Sequence, residues 1–316
     1  MLSAFLTPAG FDLEEQDIPA PGAGEVLIKT LACGVCGGDQ HSFSVKDQLE
    51  ESRVFLGHEG TGVVERLGAG VRTFAIGDLV TSLHGGFADY FVSPADETML
   101  LPQGVDPRHA LGEPVACCVH ASWRFGVTPD CSVAIVGCGF MGLVCMQLAK
   151  LQGAGRILAI DPVPARREMA LSLGADEAMS PDAIEDFDAD IGLYDVVIEA
   201  AGVPAAINLS TDLVKQHGRV SLIGYHQSGD GLRTVNMQRW NLKAIDVING
   251  HVRRMDEKFN AMVEGVGLIA DGRLKIEPLV RVYALSDISD AFEDLFSKSD
   301  APFKAVLMPR HAEGTG

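Results

Sequence analysis

The chain has 316 residues, 47% of them hydrophobic and 22% charged, a length that exceeds most single domains and predicts two. Its formal charge of −18 works against binding to nucleic acid or to an anionic membrane surface, so neither is expected as a partner. Met1 to Asp12 lacks the basic start of a signal peptide, which predicts a cytoplasmic protein.

From Leu13 to about Tyr90 short apolar runs, Glu25 to Leu31, Gly62 to Arg66 and Asp78 to Thr81, are broken by turns such as Pro19 to Gly24. This pattern predicts a β-rich region. Helical periodicity first appears at His109 to Phe125. Strands and helices then alternate: Ser132 to Val136, Met141 to Leu151, Arg156 to Ile160, Arg166 to Leu173, Asp195 to Glu199, Ala205 to Val214 and Arg219 to Ile223. Such alternation predicts an α/β unit built on a parallel sheet. After Gly272 come a strand at Pro278 to Tyr283, a helix capped by Ser286 and running to Phe296, and a strand at Lys304 to Met308. The tail Arg310 to Gly316 is expected to fray.

Cys131 to Ala149 carries no charge and is long enough for a membrane helix, but Gly137, Gly139 and Gly142 divide it into strand, turn and helix. The strand Val133-Ala134-Ile135-Val136 runs into Gly137-Cys138-Gly139-Phe140-Met141-Gly142, and the next strand ends in Asp161. A lone G-x-G-x-x-G is weak, but this one has strand, turn, helix and acidic residue in the order of a dinucleotide-binding fingerprint. Gly137 permits the tight turn, Gly139 admits the pyrophosphate, and Gly142 lets helix and strand pack closely. Phe140 and Met141 belong to the same cofactor-binding segment, with the phosphates at the helix N-terminus. Asp161 can accept from both ribose hydroxyls, and its charge repels the extra phosphate of NADP, which predicts NAD. Arg166 could stack on adenine or serve only as an exposed helix arginine.

Seven cysteines, an odd number, do not suggest a disulfide framework. Cys117, Cys118, Cys138 and Cys145 lie in apolar runs and read as small buried hydrophobes. Cys33-Gly34-Val35-Cys36 is a C-x-x-C with no second copy to complete a structural zinc site, so only Cys36 is read as chemically active. Asp39 and His41 follow it, then Gly57-His58-Glu59 and, further on, Glu113-Pro114.

Taken in order, Ala32 to His41, Gly57-His58-Glu59-Gly60-Thr61-Gly62-Val63-Val64, Phe74 to Val80, Gly86-Phe87-Ala88-Asp89-Tyr90, Glu113-Pro114-Val115-Ala116, the glycine turn and Lys304-Ala305-Val306-Leu307 resemble the zinc-dependent medium-chain dehydrogenase/reductase family. The ordered set is specific, although no single member is. The resemblance implies a Rossmann doubly wound parallel sheet at 123–272, inserted in a β-rich, GroES-like catalytic domain formed by 1–122 and 273–316. It implies one catalytic zinc on Cys36, His58 and Glu113, with Glu59 as a neighbour able to coordinate or displace water. Asp39 would fix the His58 tautomer through a hydrogen bond, and Lys304 counts among the cofactor-binding residues. A glutamate before proline, as at Glu113, resembles the sorbitol-dehydrogenase-like branch. The implied reaction passes hydride from an alcohol acidified by zinc to NAD. The substrate would be a polyol, a sugar or a small secondary alcohol, and the enzyme a homo-oligomer, dimer or tetramer.

Two departures from the family stand out. Only Thr81 to Gly85 occupy the place where the family often carries a four-cysteine lobe for a structural zinc, so that lobe is expected to be absent. Gly38 replaces a serine or threonine whose hydroxyl carries the alcohol proton outward, which leaves a water bridge to His41, or Glu59, as the route. The competing readings are a zinc-free quinone or enone reductase of the same fold and a non-catalytic dinucleotide-binding protein.

Overall fold

A computed structural model describes residues 1–50, 52–184, 189, 192–227, 231–296 and 301–312. The chain divides into two compact units, Met1–Ala116 with Phe259–Gly316, and Cys117–Lys258. Both divisions fall inside helices, Gly112–Ser122 and Met255–Ala270, ahead of the boundaries expected after 122 and 272. A break inside a continuous helix leaves no linker composition for sequence reading to find.

The first unit is built on a seven-stranded sheet. Along it run Val280–Ala284, Lys304–Met308, Glu25–Gly34, Glu59–Leu67, Leu79–Ser82 and Thr98–Leu100, with Tyr90–Pro94 also paired to Glu25–Gly34. Glu25–Gly34 is buried at most positions, and apolar Val26, Leu27, Ile28, Ala32 and Cys33 are what make it a strand covered on both faces. A smaller sheet pairs Gly10–Glu15, Leu2–Thr7 and Val54–Phe55. Its first hairpin lies before the β-rich region read from sequence, and Gly10, at φ +129°, makes the turn.

The C-terminal helix Ile288–Leu295 buries Ile288, Ala291 and Phe292, an i, i+3, i+4 stripe. The Phe292 ring lies 4.7 Å from Phe11 and 5.2 Å from Phe43. Phe43 belongs to the helix Gly37–Ser44, which Cys36 precedes, so this aromatic cluster anchors the segment bearing the candidate metal-ligating sulfur. Truncating a buried phenylalanine of this kind costs about 3–5 kcal/mol. The helix starts later than expected, with Asp287 at its N-cap, while the Ser286 hydroxyl donates to Asp287. The expected fraying also needs correction: Arg310–Ala312 forms a turn, pinned by a His311 ring nitrogen 2.8 Å from the Thr30 carbonyl. Residues 313–316 lie outside the described ones.

The second unit carries a six-stranded sheet, parallel throughout, in the order Glu177–Met179, Arg156–Ile160, Ser132–Val136, Tyr194–Glu199, Val214–Leu222, Asp246–Asn249. The chain works outward from Ser132–Val136 in one direction and then in the other, so the doubly wound sheet has its switch point beside that strand, where ligands bind in such folds. Cys131 to Ala149 is not a membrane span: Ser132–Val136 leads through the turn into the helix Phe140–Leu151. No helix among the described residues is long and apolar enough to cross a membrane. Cys118, Cys138 and Cys145 are buried as expected, whereas Cys117 is half-buried. Met237–Lys243, Asp246–Asn249 and Met255–Ala270 were not anticipated.

Candidate active site

The strand Glu25–Gly34 ends one residue before Val35-Cys36, and Cys36 forms the N-cap of Gly37–Ser44. Asp39, buried in the first turn, accepts from the Cys36 amide at 2.9 Å and from the Gly57 amide at 3.4 Å. It thereby ties the turn holding Cys36 to the one holding His58. The expected hydrogen bond to His58 is not formed, because His58 Nδ1 lies 3.9 Å from Asp39 Oδ1, beyond hydrogen-bonding reach. Burial pushes the Asp39 carboxyl up, against the pull of His58 and the two amides.

Donor atoms of Cys36, His58 and Glu59 lie within 4.8 Å of one another. A thiol, an imidazole and a carboxylate in one pocket suit zinc, and three protein donors leave an open position. A hydrogen bond to the Cys36 sulfur pushes His58 up to about 10, burial notwithstanding. Glu113, in the first turn of Gly112–Ser122 and buried, is not part of that three-donor group. Its charge nevertheless acts on Glu59.

Glu59 is fully enclosed. Strand register sets it opposite Gly34. A Cβ on Gly34 would come 2.0 Å from Glu59 Oε2, so only glycine leaves room for this carboxylate. Lys304 Nζ donates to Glu59 Oε1 at 2.8 Å, to Oε2 at 2.9 Å and to the Val35 carbonyl at 3.0 Å. Burial lifts the Glu59 carboxyl, and the ammonium opposes that lift. For Lys304, burial is the largest single influence and works against its charge, but Glu59, Cys36 and Glu113 together outweigh it and the net movement is up. Lys304, expected among the cofactor-binding residues, here donates to Glu59 and Val35, a pairing between residues far apart in sequence that no motif spacing signals. Cys33, the member of the C-x-x-C not read as chemically active, is buried, and desolvation pushes its thiol well above the usual range.

His41, half-buried, is three residues beyond Gly38 on the same helix. A Cβ on Gly38 would meet only the Cys36 sulfur, at 4.0 Å. No structural-zinc lobe intervenes between Leu79–Ser82 and Tyr90–Pro94, and Gly85 instead packs on the Glu59 and Gly60 backbone.

In the second unit, Gly137 has φ +99°, and a Cβ on Gly142 would lie 1.9 Å from the Gly137 carbonyl oxygen. Turn and helix are therefore packed backbone to backbone. A Cβ on Gly139, the N-cap of Phe140–Leu151, would meet nothing within 4 Å, so this amide edge is open to an approaching anion. Phe140 is buried and Met141 half-buried in the first helical turn. Asp161, also buried, accepts from the Cys138 amide at 2.8 Å and the Val163 amide at 2.9 Å. Arg166 Nη1 lies 3.9 Å from its Oδ2. The arginine head is thus directed at the carboxylate that was expected to read the ribose. The donor chemistry of the first unit fits a zinc ion, and the glycine edge of the second fits a dinucleotide.

Residues 22–103 match the family described as alcohol dehydrogenase GroES-like domain, and residues 141–266 match the zinc-binding dehydrogenase family. L-threonine 3-dehydrogenase of Caldanaerobacter subterraneus subsp. tengcongensis is 30% identical over 68% of this chain and 73% of its own. Sorbitol dehydrogenase of Bacillus subtilis is 27% identical over 94% of each chain. Among solved structures, a protein described as a zinc-binding dehydrogenase from Sinorhizobium meliloti 1021, bound to NADP, superposes with a TM-score of 0.85 at 26% identity, covering 98% of this chain and 99% of that one.

Proposed function

Because the chain belongs to the zinc-type medium-chain alcohol dehydrogenase family, we propose that it moves a hydride between NAD and an alcohol, using one catalytic zinc per chain. The substrate in this reading is a polyol, a sugar or a small secondary alcohol, in keeping with the sorbitol and threonine dehydrogenases it is similar to. The observation that carries the reading is the gathering of thiol, imidazole and carboxylate donors within 4.8 Å at Cys36, His58 and Glu59.

Cys36 and His58 would hold the ion, with a carboxylate from Glu113 or Glu59 completing the set. Bound there, zinc would supply a positive centre that acidifies the alcohol hydroxyl. Asp39 keeps the two ligand-bearing turns in register through its amide contacts. Lys304 holds Glu59 in place and offsets its charge. In the second unit the Gly137 to Gly142 turn would hold the pyrophosphate of a bound dinucleotide, and Asp161 its adenosine ribose. His41 passes the released proton toward solvent. The same proposal takes the protein as a cytoplasmic homo-oligomer, which sedimentation would check.

Elemental analysis combined with dinucleotide reduction over a panel of alcohols tests this reading. One tightly held zinc per chain and alcohol-dependent reduction are expected, and Cys36→Ser should strip the metal while leaving dinucleotide binding nearly intact. Two tightly held zincs would refute the ligand assignment. Turnover of quinones or enones without zinc, or no turnover at all, would replace the reading by one of its rivals.

A further inference from the structure

The carboxyl ends of the strands in the second unit hold a buried carboxylate to which the reading above gives no part. Glu199 is the last residue of Tyr194–Glu199, paired with Val136 on one side and Leu222 on the other, and it is fully enclosed. Its Oε1 accepts from the Ala201 amide at 2.9 Å and the Gly202 amide at 2.7 Å, and its Oε2 lies 3.0 Å from His226 Nε2. Arg233 Nε, which can only donate, faces His226 Nδ1 at 3.1 Å. The ring proton is therefore on Nε2 and is donated to Glu199.

Around this carboxylate the backbone closes up. A Cβ on Gly137 would come 2.7 Å from the Ala201 amide nitrogen, and one on Gly224 would come 2.3 Å from the Gly202 amide nitrogen and 2.6 Å from Glu199 Oε2. The turn at Gly137, the turn at Ala201-Gly202 and the segment Gly224 to His226 thus stack closely, with Glu199 bonded to the last two. A doubly wound sheet receives a dinucleotide on two mononucleotide-binding halves, across the crevice at the switch point. Gly137 belongs to the first half, and Gly224 to His226 belong to the second.

Resting on the dinucleotide reading above, we infer that Glu199 is a positioning residue for the cofactor. Being enclosed, it does not touch a bound dinucleotide; it holds the Ala201-Gly202 turn against Gly137 and, through His226, the end of the neighbouring strand against that turn. One carboxylate then sets the spacing of the two halves. The hydrogen-bond chain also has a direction. Glu199→Gln would keep an acceptor for the two amides but set an amide NH2 against the Nε2 proton, and the ring could not answer by moving its proton to Nδ1, because Arg233 Nε already donates there. One hydrogen bond is lost.

The test titrates the full chain with NADH, followed by its fluorescence. Glu199→Gln should weaken NADH binding by about tenfold or more, the worth of a hydrogen bond to a charged group, and should raise KM for the dinucleotide far more than it lowers kcat. Zinc content should not change, since the candidate ligands belong to the other unit. Adding Arg233→Met lets His226 carry its proton on Nδ1 and accept from the glutamine, so the double variant should recover much of the lost affinity, whereas a merely structural Glu199 gives two losses that add. A further readout needs no change at Glu199: the nitrogen-15 resonances of histidine, with those of His226 assigned through His226→Gln, should show the ring protonated on Nε2 alone. Undiminished NADH binding by Glu199→Gln, additive losses in the double variant, or a ring protonated on Nδ1 overturns the inference while leaving the dehydrogenase reading intact. Failure of the unaltered protein to bind either NADH or NADPH overturns both.

Discussion

The ammonium of Lys304 lies 2.8 and 2.9 Å from the two carboxylate oxygens of Glu59, and both side chains are buried. The pair crosses the sheet beneath Gly34, where any side chain would collide with the carboxylate. Removing one partner strands the other charge in the interior, at a cost of about 3–5 kcal/mol. Lys304→Met should therefore lower the denaturation midpoint of the metal-free protein sharply. Glu59→Gln combined with Lys304→Met should recover much of that loss, because no buried charge is left unpaired. If the two substitutions prove additive in a double-mutant cycle, the pair is not coupled as described.

The position of His58 predicts how zinc affinity depends on pH. With its pKa raised to about 10 by the hydrogen bond to the Cys36 sulfur, His58 of the metal-free protein is protonated near neutrality, and a metal must displace that proton. Zinc affinity should rise about tenfold per pH unit for each proton released, and calorimetry in buffers of different ionisation enthalpy should detect the release. The sign for folding is the reverse. A histidine whose pKa is raised on folding contributes stability that is full below about 6.5 and lost as pH rises through about 10, so the metal-free protein should weaken over that window. A zinc affinity independent of pH between neutrality and mild alkali would count against His58 as a ligand.

How much of this was legible beforehand follows from the range of the interactions. The dinucleotide turn could be read because its glycines, strand and Asp161 sit in one short segment with fixed spacing. The helix Met255–Ala270 escaped notice because Gly265 and Gly267 weaken its helical signal, although its buried Ala261, Met262, Gly265 and Val266 do keep a helical period. The hairpin Leu2–Thr7 with Gly10–Glu15 is hard to read because its second strand alternates over only two apolar residues, Phe11 and Leu13, before Glu14 and Glu15, and no position in it is fully buried. In the site, Cys36, His58 and Glu59 were named from ordered motifs. The commitment of Lys304 to Glu59 depends on strand register and on the space left by Gly34, neither of which sequence spacing records.

Gly142 offers a test confined to the second unit. A Cβ there would lie 1.9 Å from the Gly137 carbonyl oxygen, a backbone atom with no freedom to yield. Gly142→Ala should push the helix Phe140–Leu151 off its strand, weakening dinucleotide binding by an order of magnitude or more and lowering stability. Zinc content should be unchanged, since the candidate ligands belong to the other unit. A variant that binds dinucleotide normally would mean that the close packing of turn and helix is not needed for the cofactor.

Cofactor choice turns on Asp161 and Arg166, whose charges oppose each other 3.9 Å apart. A carboxylate at this place favours a ribose with free hydroxyls and repels the added phosphate of NADP, whereas a guanidinium can pair with that phosphate. Asp161 is the buried member, and its oxygens already accept from the Cys138 and Val163 amides. Its position is therefore fixed, while the more exposed Arg166 can swing away, and on this basis NAD should be preferred. Asp161→Asn is the informative substitution, because it removes the charge yet keeps one acceptor for the two amides. Asp161→Ala would orphan both and confuse cofactor choice with a damaged turn. Asp161→Asn should weaken NAD binding by about 1–3 kcal/mol, the worth of a charged hydrogen bond, and should narrow the gap to NADP. Arg166→Ala should leave NAD nearly unaffected and weaken NADP further. Titration of both cofactors against the unaltered protein and the two variants decides the matter: tighter binding of NADP than NAD by the unaltered protein, abolished by Arg166→Ala, would transfer the specificity role from the aspartate to the arginine.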